Sequence, residues 1–266
     1  MNREEFCLKV FEDDDELNWF ISLCWNMAIF TSNGNDHAHA SFFWYCVFLF
    51  STLSIPSNEI LETQRQALTL TVTTFLLHSS TANTPTATPF PTEELTLSKC
   101  IGLLSTCREV ILKMTQMNSI PTSGTNSVNV ASEVGVNEST PGSPAILEET
   151  YQSLQLLEIT CLVRMNSPML LPKLKEICTS RAPSTMHTFF LNLYHLLEEE
   201  KCTDLTAKKE CLRSAFQVLL QQPTYALEQV GEVIYHLLQV CESKSEEFHW
   251  VEQLLQITKT RGEPAK

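Results

Sequence analysis

The chain has 266 residues, of which 43% are hydrophobic, and this is enough apolar material for one or two domains or one elongated repeat array. Its 7 glycines weigh against β-sandwiches and barrels, because those folds need many glycine-rich turns. The formal net charge of -13 repels phosphate backbones, so we expect no direct contact with nucleic acid.

The first apolar segment, residues 16–30, reads ELNWFISLCWNMAIF. A helix that is apolar on nearly every side must be covered on more than one face, so we predict an inner helix of a helical stack. Trp19, Trp25 and Trp44 are expected to fill gaps between stacked helices, although aromatic side chains of this kind could instead anchor a partner peptide. Asn26 is expected to be structural and to fix the helix register.

Residues 39–55 contain no Lys, Arg, Asp or Glu. This run is at the lower limit of length for a membrane-spanning helix, and no Lys/Arg cluster flanks it to set an orientation. We therefore predict another inner helix and no membrane contact. A membrane anchor formed by residues 39–55 remains an alternative.

Apolar periodicity predicts ten helices, separated by short breaks and by two longer stretches rich in Ser, Thr, Pro and Asn. The two stretches are predicted to be a loop at 79–92 and a disordered linker at 118–144. Start signals such as Ser57 after Pro56 and Thr224 after Pro223 support several helices. The predicted helices are 15–31, 37–54, 57–78, 92–117, 145–166, 168–179, 184–200, 204–221, 224–243 and 245–260, with Thr92 and Ser184 as further start signals.

Paired as hairpins, most of these helices repeat at a spacing of about 40 residues, which is typical of helix–turn–helix units in α-solenoids. We therefore predict an all-α, tetratricopeptide-like α-solenoid of about five helical hairpins with two disordered loops. The tetratricopeptide pattern itself does not fit any one hairpin without several mismatches. The predicted organisation is an acidic tail at 1–14, helical-repeat segments at 15–117 and 145–260 on either side of the linker 118–144, and a tail at 261–266.

No sequence motif promises catalysis, because the chain has no glycine-rich phosphate loop, GxSxG, HExxH or Rossmann fingerprint. His37 and His39 are two residues apart and point to different sides of a helix, so they are not expected to share a metal ion. The ten cysteines include no CxxC pair, which indicates free thiols in a reducing compartment such as the cytosol or nucleus. We predict a protein that is not an enzyme, with no catalytic residues, cofactor or metal.

Three segments share a pattern with one known family, and the residues that carry it are Leu17, Trp19, Trp25, Asn26 and Ala28, then Leu156, Leu157, Glu158, Arg164, Asn166 and Pro168, and finally residues 250–255. In this order they resemble features of the sporulation-twenty-two/Zip-four family. The first is the helix with the pattern LxWxxxxAWNxA, although Cys24 stands where the family has alanine. The second is the family's LLE…R…NDP helix and turn, and the third is a segment of the family's core.

The resemblance implies a tetratricopeptide-like scaffold of meiotic recombination, which promotes crossover formation and chromosome synapsis in the nucleus, on meiotic chromosomes. It implies partners among other meiotic crossover and chromosome-axis proteins, including an XPF-like factor that binds branched DNA, and no enzymatic activity. Family members are much longer, so we expect a fragment or short form whose last helix exposes an apolar face. A helical-repeat adaptor in an unrelated process is the alternative.

Overall fold

The computed structural model describes residues 14–81, 95–118, 144–179, 187–222 and 224–262. Every regular element in these ranges is an α-helix, so the predicted all-α class is confirmed for this part of the chain. The ten helices are α1 (Asp14–Asn33), α2 (His37–Ser51), α3 (Asn58–Thr81), α4 (Leu97–Asn118), α5 (Pro144–Arg164), α6 (Leu170–Thr179), α7 (His187–Glu199), α8 (Leu205–Gln221), α9 (Leu227–Gln239) and α10 (Lys244–Gly262).

Each predicted helix has a counterpart, but several predicted boundaries are wrong. Helix α2 ends at Ser51 instead of residue 54, α9 ends at Gln239 instead of residue 243, and residues 95–96 are not helical because α4 begins at Leu97. The loop predicted from residue 79 begins too early, because α3 continues to Thr81. The start predicted at Thr224 is too early as well, because α9 begins at Leu227 after Ala226, whose N–H donates to the Gln229 side-chain oxygen at 3.3 Å. The predictions for residues 1–13, 82–94, 119–143, 180–186 and 263–266, which include the starts at Thr92 and Ser184, lie outside the described residues.

Side-chain oxygens cap the starts of several helices and so explain where these helices begin. Ser57 accepts from the N–H of Ile60 at 3.2 Å at the start of α3, as predicted. Thr96 accepts from the N–H of Lys99 at 3.2 Å before α4. Such caps satisfy N–H groups that have no partner inside the helix.

Three helix ends are closed by a residue in the left-handed conformation. These residues are Asn35, Asn166 and Lys201, with φ of 58°, 46° and 53°. After α5, the N–H of Ser167 donates to the carbonyl of Leu162 at 3.0 Å, which satisfies a carbonyl that the helix leaves open. Asparagine tolerates this conformation better than most residues, which accounts for its presence at position 166.

The chain divides into two compact units, Met1–Glu158 and Ile159–Lys266. In the first unit, α2 packs against α1 and α3, and α3 packs against α4. One core cluster of this unit joins α1, α2 and α3 through small and large apolar side chains. Its buried members are Leu17, Ile21, Cys24, Ala28, Ala40, Trp44, Val47 and Ala67.

In the second unit, α8 packs against α6, α7 and α9, and α9 packs against α10. The interior of the unit is formed by leucine, isoleucine and phenylalanine side chains of these helices. Helices of both units therefore make most of their contacts with helices close in the chain. The largest fully buried side chains of the second unit are Ile159, Leu174, Ile177, Phe190, Leu193, Leu197, Leu212, Leu219 and Ile234.

Candidate partner-binding surfaces

Helix α1 buries one face and exposes another that is equally apolar. Leu17, Ile21, Cys24 and Ala28 are buried, and they face the core cluster shared with α2. The prediction that this helix is covered on more than one face is therefore wrong for the described part of the chain. The physical reason is that α1 has one main packing partner, α2, and a single partner covers only one stripe of a helix.

The exposed face forms a continuous row of large apolar side chains, which we call the α1 stripe. Trp19 is 59% exposed and Phe30 is 74% exposed, with Leu23 and Met27 between them at about 40%. The four positions are spaced by four, four and three residues, which places them on one side of a helix. Rows of exposed apolar side chains of this kind mark sites of protein–protein interaction.

A shallow groove adjoins this face of α1. Its volume is about 370 Å³, and it is lined by Ile21, Ser22, Trp25 and Asn26 of α1 with Thr63 of α3. We call it the Trp25 groove. Its wall is an indole and its rim carries hydroxyl and amide groups, so it combines an apolar contact with hydrogen-bonding capacity.

The polar groups of the Trp25 groove differ in their availability. The Ser22 hydroxyl donates to the carbonyl of Asn18, and the Thr63 hydroxyl donates to the carbonyl of Glu59, each at 2.9 Å. The Asn26 carboxamide is exposed and makes no hydrogen bond within the described ranges. The prediction that Asn26 fixes the helix register is therefore wrong, and its amide is open to a partner molecule.

The tryptophans divide into two kinds. Trp44 is 4% exposed, and the half-buried Trp25 meets it edge to face with ring centroids 4.9 Å apart. The gap-filling prediction is confirmed for this pair. The same prediction is wrong for Trp19, which is exposed. Its ring meets the Phe20 ring edge to face, with centroids 5.0 Å apart. Among Trp19, Trp25 and Asn26, which carry the first resemblance, only Trp25 packs against the core in the described part of the chain.

Four residues of these surfaces were not predicted from the sequence: Leu23, Met27, Phe30 and Thr63. A signal for the first three was present, because the buried positions Cys24 and Ala28 are small and indicate a face on which helices approach closely. The large apolar residues on the opposite side of α1 then form a second, separate row. Thr63 gave no signal, since its place beside α1 depends on how α3 folds back.

The acidic start of α1 gives this surface a charge. Asp14, Asp15 and Glu16 form the first turn of the helix, and both aspartates are exposed. Negative charge at this end is favoured by the helix dipole. A partner that lies along the α1 stripe therefore meets apolar side chains along the helix and carboxylates at its N-terminal end.

The last helix carries a similar exposed row. Phe248 is 73% exposed, and Val251 and Leu255 follow it on the same side of α10. On the opposite side, Trp250 is buried and meets Phe216 edge to face at 5.4 Å. The expected apolar face on the C-terminal helix is therefore present.

Two charged residues of the second resembling segment, Glu158 and Arg164, have structural partners. Glu158 is buried and pairs with Arg108. Arg164 donates twice to the Glu200 carboxylate, from Nε at 2.8 Å and from the guanidinium end at 2.6 Å. This two-bond pairing fixes the orientation of the guanidinium. These side chains hold helices together and are not available to a partner.

The densest basic pair of the sequence, Lys208 and Lys209, forms ion pairs with carboxylates. The Lys208 ammonium lies 2.7 Å from a Glu198 carboxylate oxygen, and the Lys209 ammonium lies 2.8 Å from Glu242 and 2.9 Å from Glu246. The hydrogen bond with Glu242 raises the pKa of Lys209 above its ordinary value, so the ammonium stays charged. Both ammonium groups are paired with carboxylates of the same protein and are therefore not free to bind phosphates.

The described residues form neither a metal-binding cluster nor a membrane-spanning helix. Across the described ranges, no three His, Cys, Asp or Glu side chains come together as a metal site. Of the two neighbouring histidines His37 and His39, His39 pairs with Asp36. No helix in those ranges combines the length and apolarity needed to cross a membrane, and most of residues 39–55 belong to α2, which has 15 residues.

No family model, curated protein or solved structure matches this chain.

Proposed function

We propose that the protein is a non-enzymatic interaction scaffold of meiotic recombination, which promotes crossover formation and chromosome synapsis. The proposal joins two independent observations. One is the sequence resemblance to the sporulation-twenty-two/Zip-four family. The other, which carries the general role of scaffold, is the α1 stripe, whose aromatic ends Trp19 and Phe30 are 59% and 74% exposed.

The α1 stripe suits partner binding because it is large, apolar and rigidly held. Trp and Phe side chains contribute most of the binding energy at many interfaces. The opposite face of α1 is fixed by the core cluster and by the contact of Trp25 with Trp44. A partner therefore loses less binding energy to ordering this surface than it would on a loop.

The proposed architecture is a tetratricopeptide-like α-solenoid. In each of the two units, helices pack mainly with helices close in the chain, which is the contact pattern of repeat arrays. In such arrays each helical hairpin contacts its neighbours and leaves outer faces free for partners. The exposed rows on α1 and α10 fit this arrangement.

The proposed partners are other crossover-promoting and chromosome-axis proteins in the nucleus. The charge of -13 and the internal pairing of Lys208 and Lys209 support contact with DNA through such partners rather than directly. The first turn of α1 is acidic, so the partner segment on the α1 stripe is expected to combine apolar side chains with a basic end.

The test is to tag the endogenous protein and to delete its gene in the same organism. The proposal expects the tagged protein on chromosome axes in meiotic prophase, and it expects the deletion to lower crossover number and to impair synapsis. Uniform expression in non-dividing tissue, absence from meiotic nuclei or normal crossover number in the deletion would overturn the meiotic role. That result would favour a helical-repeat adaptor in another process.

A further inference from the structure

The first unit contains a cavity that the scaffold role does not use. It lies between α2 and α4 and has a volume of about 470 Å³. This volume is within the usual range for small-molecule sites, of the order of 300–1,000 Å³. We propose that the cavity binds a small carboxylic acid with an elongated apolar body, of the fatty-acid class.

The apolar part of such a ligand has suitable walls. Phe42 and Leu49 of α2 face Leu103 of α4 across the cavity, and Leu95 lies just before α4. Gly102 also lines the cavity, and a Cβ placed there would meet no atom within 4 Å. Gly102 is exposed, and its missing side chain leaves open space at this edge of the cavity.

The polar groups of the cavity indicate which end of the ligand they recognise. The Ser41 hydroxyl donates to the carbonyl of Ala38 at 2.9 Å, and the Thr106 hydroxyl donates to the carbonyl of Gly102 at 3.2 Å. These two hydroxyls are satisfied within their own helices. Lys99 and Tyr45 also line the cavity, and neither side chain has a hydrogen-bond or ion-pair partner among the described residues.

Lys99 is the group that selects a carboxylate. It lies in the first turn of α4, where the helix dipole disfavours a positive charge. No acidic side chain occupies that turn to compensate it. A carboxylate at the mouth of the cavity would pair with this ammonium and accept a hydrogen bond from Tyr45.

An extended peptide is a poorer occupant. Nearly all lining residues belong to helices, whose N–H and C=O groups bond within the helix. A peptide backbone placed among them would leave its own polar groups without partners, at a cost in free energy. A single alkyl chain has no such groups, and only its carboxylate needs a polar partner.

The test measures binding of dodecanoate and of dodecanol to the full chain by isothermal titration calorimetry. Lys99→Met is expected to weaken dodecanoate about threefold to fivefold, as for a partly exposed ion pair, and to leave dodecanol unchanged. Lys113→Met, near the other end of α4 and outside the cavity, is the matched control and is expected to change neither affinity.

A second variant, Gly102→Leu, fills the cavity. Leucine is a better helix former than glycine, and position 102 has open space, so thermal unfolding is expected to show an intact fold. Binding of both ligands should then be lost. The proposal is overturned if the wild-type protein binds neither ligand, if Gly102→Leu binds both as before, or if Lys99→Met weakens dodecanoate and dodecanol equally.

Discussion

The indole rings of Trp25 and Trp44 meet edge to face, with centroids 4.9 Å apart and planes at 89° to each other. This contact joins α1 to α2 across the core cluster, because the two residues lie near the middle of their helices. Edge-to-face pairs stabilise proteins beyond the area that they bury. The pair fixes α1 so that the α1 stripe faces outward.

The two faces of α1 predict opposite effects of truncation. Trp44→Ala removes a large buried side chain and should lower the free energy of unfolding by about 3–5 kcal/mol. Trp19→Ala removes an exposed ring and should change it by less than about 0.5 kcal/mol. Urea unfolding followed by far-UV circular dichroism measures both variants. Equal destabilisation by the two substitutions would show that Trp19 is part of the core.

The buried carboxylate of Glu158 depends on Arg108. Arg108→Met removes the guanidinium partner of Glu158, whose side chain is 10% exposed, and it should cost about 2 kcal/mol of stability. The control is Lys173→Met, which breaks an ion pair with the exposed Glu176 and should cost less than about 0.5 kcal/mol. Chemical denaturation measures the free energy of unfolding of both variants. An Arg108→Met variant as stable as the wild type would contradict the structural role of this pair.

The Lys209 cluster predicts a bell-shaped dependence of stability on pH. The hydrogen bond from Lys209 holds the pKa of Glu246 below its ordinary value, so this stabilisation is present at neutral pH and is lost as pH falls through the lowered pKa. The hydrogen bond with Glu242 raises the pKa of Lys209, so its stabilisation is lost as pH rises through the raised pKa.

The stability difference between wild type and Lys209→Met should therefore be largest near neutral pH, at about 1–2 kcal/mol, and should shrink in acid and in strong alkali. Unfolding curves recorded between about pH 3 and pH 11 measure this difference. Lys244→Met, whose side chain is 82% exposed, is the control and should show little difference at any pH. A difference that is constant across the range would rule out the proposed linkage.

The cysteines should differ strongly in reactivity. Cys211 is fully buried, and burial raises the pKa of its thiol well above the ordinary value. Because the thiolate is the reactive form, alkylation of Cys211 by iodoacetamide should be limited by unfolding, whereas the half-buried Cys202 should react in the folded protein. Peptide mass spectrometry after timed labelling compares the two sites. Similar rates at both positions in the folded protein would contradict the described packing.

The sequence predicted the helices well because their signals are local. Apolar periodicity placed ten segments, and Ser57 marked the start of α3 through a cap that involves only nearby residues. Burial was predicted less well. The exposure of Trp19 and Asn26 depends on how many helices pack against α1. A local sequence pattern does not encode the number of packing partners.

The candidate surface was predictable only in part. The sequence drew attention to Trp19, Trp25 and Asn26, and all three line the Trp25 groove or the α1 stripe. Trp19 and Asn26 do not have the structural roles predicted for them. Thr63 and the cavity between α2 and α4 required the tertiary structure, because their residues come from separate helices.

The most direct test of the central claim replaces the endogenous protein by the double variant Trp19→Ala/Phe30→Ala and counts crossovers in meiotic cells. Both side chains are more than half exposed, so the variant should fold and accumulate normally. The matched control is Tyr235→Ala, which removes an aromatic ring that is 60% exposed on α9. Our account predicts crossover numbers close to those of the gene deletion for the double variant and normal numbers for the control. Normal crossover numbers in cells that carry the double variant would contradict it.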